Sequence, residues 1–549
     1  MHESIINIPK PRNEPIYQYQ PGSPERKNLR AALETMTKAR IEIAPVIGGR
    51  KRLTGDKGKV VMPHDHGHIL ADYHKATPEL VAEAIECAME AKVVWEELPW
   101  EERALVALKA AELISGKYRY ILNAATMLGQ GKNAFQAEID AACETIDFLR
   151  FNAYFMQKIY GEQPEAYPSP GTLNRVEYRP LEGFVFAVTP FNFTAIASNL
   201  PTAPAIMGNV VVWKPASTSL LSNYYLMEIF HEAGFPDGVI NFLPGSGETV
   251  GKVVLNDSRL AAIHFTGSTA VFSKFWQTLG SNLKKYKSYP NLVGETGGKD
   301  FIFVHPSADV DAVAVAAVRG AFEYQGQKCS AASRMYVPNT LWEPVKERIG
   351  RMLSEVKMGG VEDFGNFVNA VIDKASFDTI TGYIAKARDS KDAEIVFGGK
   401  SDSSKGYFVE PTVILAKDPH FVTMEEEIFG PVLTAYVYED AKFEETLHLC
   451  DQTSPYALTG AIFAKDRTAI VKATKVLRDA AGNFYVNDKP TGAFVGQQPF
   501  GGARCSGTND KSGSFTNLLS WISARTIKEN LVPPTDYRYP FMERDHIEK

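Results

Sequence analysis

Residues 183–214 read GFVFAVTPFNFTAIASNLPTAPAIMGNVVVWK, without a charged side chain until Lys214. The run imitates a membrane span, but Pro190, Pro201 and Pro204 interrupt it, as do Asn192, Asn199 and Asn209. In a bilayer those amides would need partners inside the membrane. A strand over 184–189, a turn, a helix and a strand over 209–214 account for it better, all buried. Outward from there the alternation continues: helical spacing over 217–233, a short apolar strand at 239–243, and another at 261–265. Strands alternating with helices predict βαβ units and a parallel sheet covered on both faces, hence an α/β protein. Ligands bind such sheets beyond the carboxyl ends of the strands.

A second alternating set begins near Phe301 and includes strands at 334–337, 408–415 and 458–463, a second α/β domain. Upstream, residues 80–92, 101–115 and 136–160 carry helical apolar spacing. Ser23-Pro24-Glu25-Arg26 reads as a helix start after an N-terminal arm. The segment 165–182, rich in Pro, Gly and Tyr, predicts a projecting hairpin, paired with the tail after Ile527. The expected division is an arm over 1–45, a dinucleotide-binding domain over 46–164 and 183–297, and a catalytic domain over 298–515. Residues 165–182 and 516–549 form an oligomerisation arm and tail.

A net charge of -6 and a pI near 6.1 leave no basic footprint for nucleic acid or acidic lipid, so small diffusible partners are expected. The five cysteines, Cys87, Cys143, Cys329, Cys450 and Cys505, are widely spaced with no C-x-x-C pair. That argues against a disulfide framework and for a reducing compartment. Residues 1–26 show neither a secretory h-region nor an Arg/Ser-rich presequence.

Four of these cysteines read as small core residues. Cys329 differs in its surroundings, Tyr324-Gln-Gly-Gln-Lys-Cys-Ser-Ala, a glycine-containing loop past a helical run. A thiol is a poor nucleophile until dipoles or cations favour the thiolate, and loop N–H groups are expected to do so. Gly294-Glu-Thr-Gly-Gly-Lys presents Glu295 in a flexible turn, and Thr189-Pro-Phe-Asn-Phe ends the buried strand on Asn192. Singly, each has a bland reading: structural cysteine, solvated acid, turn former.

Together the three motifs resemble the aldehyde dehydrogenase superfamily. Phe265-Thr-Gly-Ser, Glu426-Glu-Ile-Phe-Gly-Pro, Tyr456-Ala-Leu-Thr-Gly, Gly482-Asn and Pro499-Phe-Gly-Gly extend the likeness in the same order. The resemblance implies an aldehyde dehydrogenase-like fold and a soluble enzyme that oxidises an aldehyde through a thioester. Cys329 would be the nucleophile, Asn192 with the Cys329 N–H an oxyanion hole, and Glu295 the base that activates water. It implies NAD as cofactor, held by Thr189, Pro190, Lys214, Ser217, Phe265, Gly267, Ser268, Thr269, Glu427 and Phe429. The run Gly245-Ser-Gly-Glu-Thr-Val-Gly has G-x-G-x-x-x-G spacing and is a weak fingerprint beside Phe265–Ser268, where a strand ends and a helix opens. Ser217 stands where strict NAD users often carry an acid, so some NADP use is expected.

Within the superfamily, Gln136-Ala-Glu-Ile-Asp-Ala-Ala, Phe148-Leu-Arg-Phe-Asn-Ala and the long block from Val495 to Lys511 resemble the proline-catabolic branch, which oxidises glutamate semialdehyde. There Ser330 and the backbone at Gly492 and Ala493 would hold the substrate carboxylate. Phe193 and Phe500 would flank the aliphatic stem. Glu144 would face the ammonium or else be a surface acid. A homodimer or higher homo-oligomer is expected, in the cytosol of a bacterium or the mitochondrial matrix of a eukaryote. Another small semialdehyde, or a non-catalytic protein on the same fold, are the competing readings. His64-Asp-His-Gly-His68 has the alternate spacing of a metal site, but Pro63 and Gly67 argue for a turn or irregular edge. No metal is expected, and the histidines read as surface or hydrogen-bonding groups.

Overall fold

The computed structural model describes residues 6–166 and 168–543; residues 1–5 of the expected arm, Tyr167 and residues 544–549 of the expected tail lie outside them. The opening run forms the strand Phe184–Val188, the helix Thr194–Ile206 and the strand Val210–Lys214. Burial on both sheet faces explains the missing charges: the first four residues of each strand are buried. Pro201 and Pro204 lie inside the helix. Pro204 lacks the N–H that would bond the Leu200 carbonyl, and buried His264 fills the gap, its Nδ1 2.9 Å from that oxygen.

The strand order in the first seven-stranded sheet is Asn291–Glu295, Leu260–Thr266, Phe184–Val188, Val210–Lys214, Ile240–Phe242, Val46–Ile47, Arg50–Lys51. The first five are parallel, and the last two add an antiparallel edge that the sequence did not announce. From Phe184–Val188 the chain winds one way through 210–242, then returns to the other side with Leu260–Thr266. Those two neighbours flank the topological switch, where open sheets place ligands. The second sheet also has seven strands, in the order Ala393–Phe397, Thr412–Ala416, Val432–Tyr438, Ala332–Pro338, Asp300–Val304, Thr459–Phe463, Asn483–Val486, parallel except for the first. Apolar clusters cover both of its faces.

Several boundaries differ from the sequence reading. The single strand expected over 408–415 is two, Phe408–Val409 and Thr412–Ala416, in different sheets, separated at Pro411, which has no N–H to give a ladder. Residues 165–182 form no hairpin of their own. Thr172–Pro180 is one strand, paired along its whole length with Ile522–Asn530, which overlaps the expected tail after Ile527 but starts before it. The region 136–160 is helical but contains a π-turn, Glu138–Glu144, between Ala134–Ala137 and Thr145–Gly161. The helix Arg119–Gln130 went unread; it is nearly all buried, its polar residues Arg119, Asn123, Thr126 and Gln130 included. Asp65–His74 is a bulged strand in a three-stranded sheet with Ile41–Ile43 and Lys57–Met62. Among the described residues no helix is long and apolar enough to cross a membrane.

Candidate active site

Beyond the switch lies a cleft of about 920 Å³. Thr189, Pro190, Phe191 and Asn192 enter it from the end of Phe184–Val188, Phe265 to Ser268 from the end of Leu260–Thr266, and Lys214 from the next strand. The helix Thr269–Asn282 opens here, with Ser268 as its cap, so first-turn N–H groups border the cleft. A second helix, Gly247–Val254, capped by Ser246, brings Gly247, Glu248 and Gly251 to the same wall. The sequence reading set that glycine run aside. Its i, i+4 pair Gly247/Gly251 shares one helix face, and this was the signal that could have found it. Burial alone pushes the Lys214 ammonium down to about 8. Glu427 arrives from the second sheet's side; its carboxylate accepts the Gly298 N–H at 2.9 Å, and burial raises it to about 7. Phe429, also in the wall, meets Phe191 edge to face. Ser217 and Thr269 do not line this cleft: Ala216 takes the wall position, and the Thr269 hydroxyl points at Tyr456 Oη, 3.4 Å away.

The cysteine loop begins where the helix Val310–Phe322 ends. Tyr324, Gln325 and Gly326 all take positive φ, reversing the chain within three residues. Buried glutamine amides hold this unfavourable path. Gln325 donates to the carbonyls of Gly131 and Ala370 and accepts from the Asn369 N–H, each at 2.9 Å, while Gln327 accepts from the Ile372 N–H at 2.8 Å. A Cβ at Gly326 would lie 2.2 Å from the Gly430 carbonyl oxygen. The Gln-Gly-Gln motif is therefore scaffolding for the residue that follows.

Cys329 is buried and its Sγ lies 3.5 Å from Glu295 Oε1. Glu295 terminates a strand and bridges to Gly507, so it stands on a fixed element, not the flexible turn expected. The Gly-Gly that follows it is a close approach: a Cβ on Gly298 would sit 2.2 Å from the Cys329 carbonyl oxygen. The expected thiolate is not found. Burial first, then the facing carboxylates of Glu295, Asp300 and Glu427, push the thiol well above its ordinary range. Glu295 is itself raised to about 7 by burial, against opposing pulls from the Cys329 thiol and Lys511. The site thus stores a thiol beside a base, with the proton still on sulfur. Asn192 lies in the same wall, and its Nδ2 donates to the Gln327 carbonyl at 3.1 Å.

A smaller pocket adjoins the sulfur on the other side. Cys329, Glu295 and Ser330 form one end; Glu144, Phe193, Phe500, Gly492 and Ala493 complete it, with Ser512, which the sequence reading missed. Ser512 reaches the pocket because it bridges to Phe500 across an antiparallel turn, a contact invisible in spacing. Among the described residues the amide N–H groups of Gly492 and Ala493 donate to no protein acceptor. Glu144 is the last residue of the π-turn, and burial, reinforced by Asp140, raises it to about 8. Four residues earlier, Asp140 caps the helix Thr194–Ile206 through the N–H groups of Thr194 and Ala195. Asp140 also pairs at 2.7 Å with Lys132, both with no exposed side-chain surface, and the ammonium lies 4.0 Å from the centre of the Phe193 ring. This pair fixes the corner that carries Asn192 and Phe193.

The histidines of residues 64–68 diverge. His64 meets Glu362, His66 the Ser403 carbonyl and His68 the Thr37 carbonyl.

The profile of the aldehyde dehydrogenase family matches residues 52–527, and the chain belongs to that family. Within it, the chain is 58% identical to the mitochondrial delta-1-pyrroline-5-carboxylate dehydrogenase of Dictyostelium discoideum over 98% of its length and 97% of the relative's. It is 49% identical to the human mitochondrial enzyme of the same name, covering 99% of this chain and 96% of that one. The crystal structure of the Mycobacterium tuberculosis delta-pyrroline-5-carboxylate dehydrogenase bound with NAD superposes with a TM-score of 0.95 at 50% identity, over 99% of this chain and all of that one.

Proposed function

We propose that this protein is an NAD-dependent dehydrogenase of L-glutamate γ-semialdehyde, the hydrolysed form of delta-1-pyrroline-5-carboxylate, yielding L-glutamate in proline degradation. The observation that carries the reading is the position of Cys329, in a wall common to the cleft and to the small pocket. Its sulfur can bond a carbon whose hydrogen faces the cleft.

The cleft fits a dinucleotide. A helix N-terminus borders it for a pyrophosphate, a half-buried lysine at a strand end and the Glu427 carboxylate suit ribose hydroxyls, and Phe429 offers a ring face. When bound there, the oxidised nicotinamide supplies the hydride acceptor. The protein's own work begins with the thiol proton, which Glu295 takes as sulfur adds to the carbonyl carbon. Oxygen becomes an alkoxide, and the Asn192 amide with the Cys329 N–H stabilise it, each such donor contributing about 3–4 kcal/mol in comparable enzymes. After hydride loss the acyl group remains on sulfur as a thioester. Glu295, its proton released, then draws one from water, which attacks the thioester carbon and expels the Cys329 sulfur. Ser330 and the free N–H groups of Gly492 and Ala493 suit the substrate carboxylate, Glu144 its ammonium, and the Phe193 and Phe500 rings its methylenes.

The names of the relatives support the substrate. Their mitochondrial members support a matrix setting if the source is eukaryotic, with the cytosol as the bacterial counterpart. The two-stranded ribbon at 172–180 and 522–530 is read as an arm that joins subunits in a homodimer or larger assembly. The decisive experiment compares NADH formation from pyrroline-5-carboxylate, succinic semialdehyde and simple aldehydes. Preference for an aldehyde without the α-amino acid group would remove the assignment.

A further inference from the structure

Residues 6–22, ahead of the helix Pro24–Lys38, are tied to the helical region 119–150 as a strap held by buried charge. Glu14 accepts from Arg119 and Arg150 at 2.6 and 2.7 Å, and Tyr19 donates to Glu138 at 2.6 Å. Within this strap, the Asn13 side chain joins two segments that line the substrate pocket further along, at residues next to the lining ones. Its Nδ2 donates to Asp147 Oδ2 at 2.8 Å and to the Val495 carbonyl at 2.9 Å, and its Oδ1 accepts from Gln497 Nε2 at 2.7 Å. Asp147 follows Glu144 by three residues, about one turn along the same helical segment, and Phe148 next to it lines the pocket. Val495 and Gln497 belong to the loop that begins with Gly492 and Ala493.

That loop is otherwise weakly held at this end. Tyr485 anchors its start, through the Thr491 carbonyl at 2.8 Å, and Val495 packs against Phe148 and Phe151. The other polar ties near Val495 are Gly496 N–H to the Gly513 carbonyl and turns within the loop itself. Gly492 N–H and Ala493 N–H can receive a carboxylate only if their spacing from the Glu144 wall is fixed. From this geometry we infer that Asn13 is a positioning residue for substrate recognition. It fastens the loop that receives the carboxylate to the helical segment that receives the ammonium, and so sets the distance over which an α-amino acid end group is measured. This rests on the pocket's assignment to glutamate semialdehyde.

Three measurements on the full-length protein test it. Asn13→Ala should raise KM for glutamate semialdehyde about tenfold, leaving its kcat within about twofold and KM for NAD unchanged, while kcat/KM for propanal stays constant. Gln497→Ala, which removes one of the three ties, should show the same pattern at about threefold. Amide hydrogen exchange of residues 491–498, read without substrate, should quicken in Asn13→Ala while the helix at 145–161 keeps its protection. Equal losses for both aldehydes would show a general structural role and overturn the inference, as would unchanged KM or unchanged loop exchange. If the wild type itself does not prefer glutamate semialdehyde over propanal, the substrate assignment fails, and the exchange result alone then decides whether Asn13 holds the loop.

Discussion

The two cavities that meet at Cys329 are built on different plans. The larger cleft is made from strand ends and the helices that follow them, so much of its wall comes from the stretches 189–192 and 265–268 and from one face each of the helices Gly247–Val254 and Thr269–Asn282. The smaller pocket draws a few residues each from a π-turn, two helix starts, the cysteine loop, two strand ends and two distant loops. The cleft offers backbone donors and a half-buried lysine, chemistry that many dinucleotides share. The pocket concentrates ionisable and backbone groups around a small volume, and discrimination between aldehydes belongs there. A cofactor site can follow from a topology, whereas a substrate site has to be assembled.

Substitution can break that division, starting with the atom both cavities share. Cys329→Ser should lower NADH formation by roughly 10⁴-fold or more, since removing a covalent nucleophile costs at least that much in comparable enzymes. The melting temperature should be unaltered; retained turnover would refute the nucleophile. Glu295→Gln should cut steady-state turnover by about 10²–10⁴-fold, the range for a lost general base. The NADH burst should suffer less, and equal loss in both phases would deny the base a separate part in hydrolysis. The pH dependence follows in sign. A carboxyl raised to about 7 must be ionised to accept a proton, so kcat should rise with pH through about 7 and fall below it. That acid limb should disappear from the pH–rate profile of Glu295→Gln.

Lys132→Met sharpens the contrast between the cavities. It strands Asp140 without its cation, and breaking a buried pair costs about 3–5 kcal/mol. Unfolding by denaturant measures the loss. In the folded fraction KM for the aldehyde should rise while KM for NAD holds, because the pair supports Phe193 and the pocket. Parallel changes in both constants would show that the two cavities are not independent. The smallest effect is expected at Ser217→Asp. Ser217 lies just outside the cleft wall, beside Ala216, so the new charge should reduce NADP use by about fivefold at low salt, and less as salt is added. NAD kinetics should be unchanged.

The sequence by itself determined the α/β class, because a charge-free run with strand-length apolar blocks has few other solutions. It also singled out Cys329, Glu295 and Asn192, which the fold gathers around the two adjoining cavities, since each sits in a motif of unusual composition. Only the tertiary structure decided how they are activated. From Tyr324-Gln-Gly-Gln-Lys-Cys alone the loop's amides look like a device for lowering the thiol, yet the fold buries the sulfur, with acidic groups nearby, and raises it. Electrostatic environment depends on distances between residues far apart in the chain, and spacing carries no record of those. The same reason hid Ser512 and the tie from Asn13 to Val495, a contact across 482 positions. Local pattern fixes which elements form; long-range packing fixes which side chains face one another and what charge they can hold.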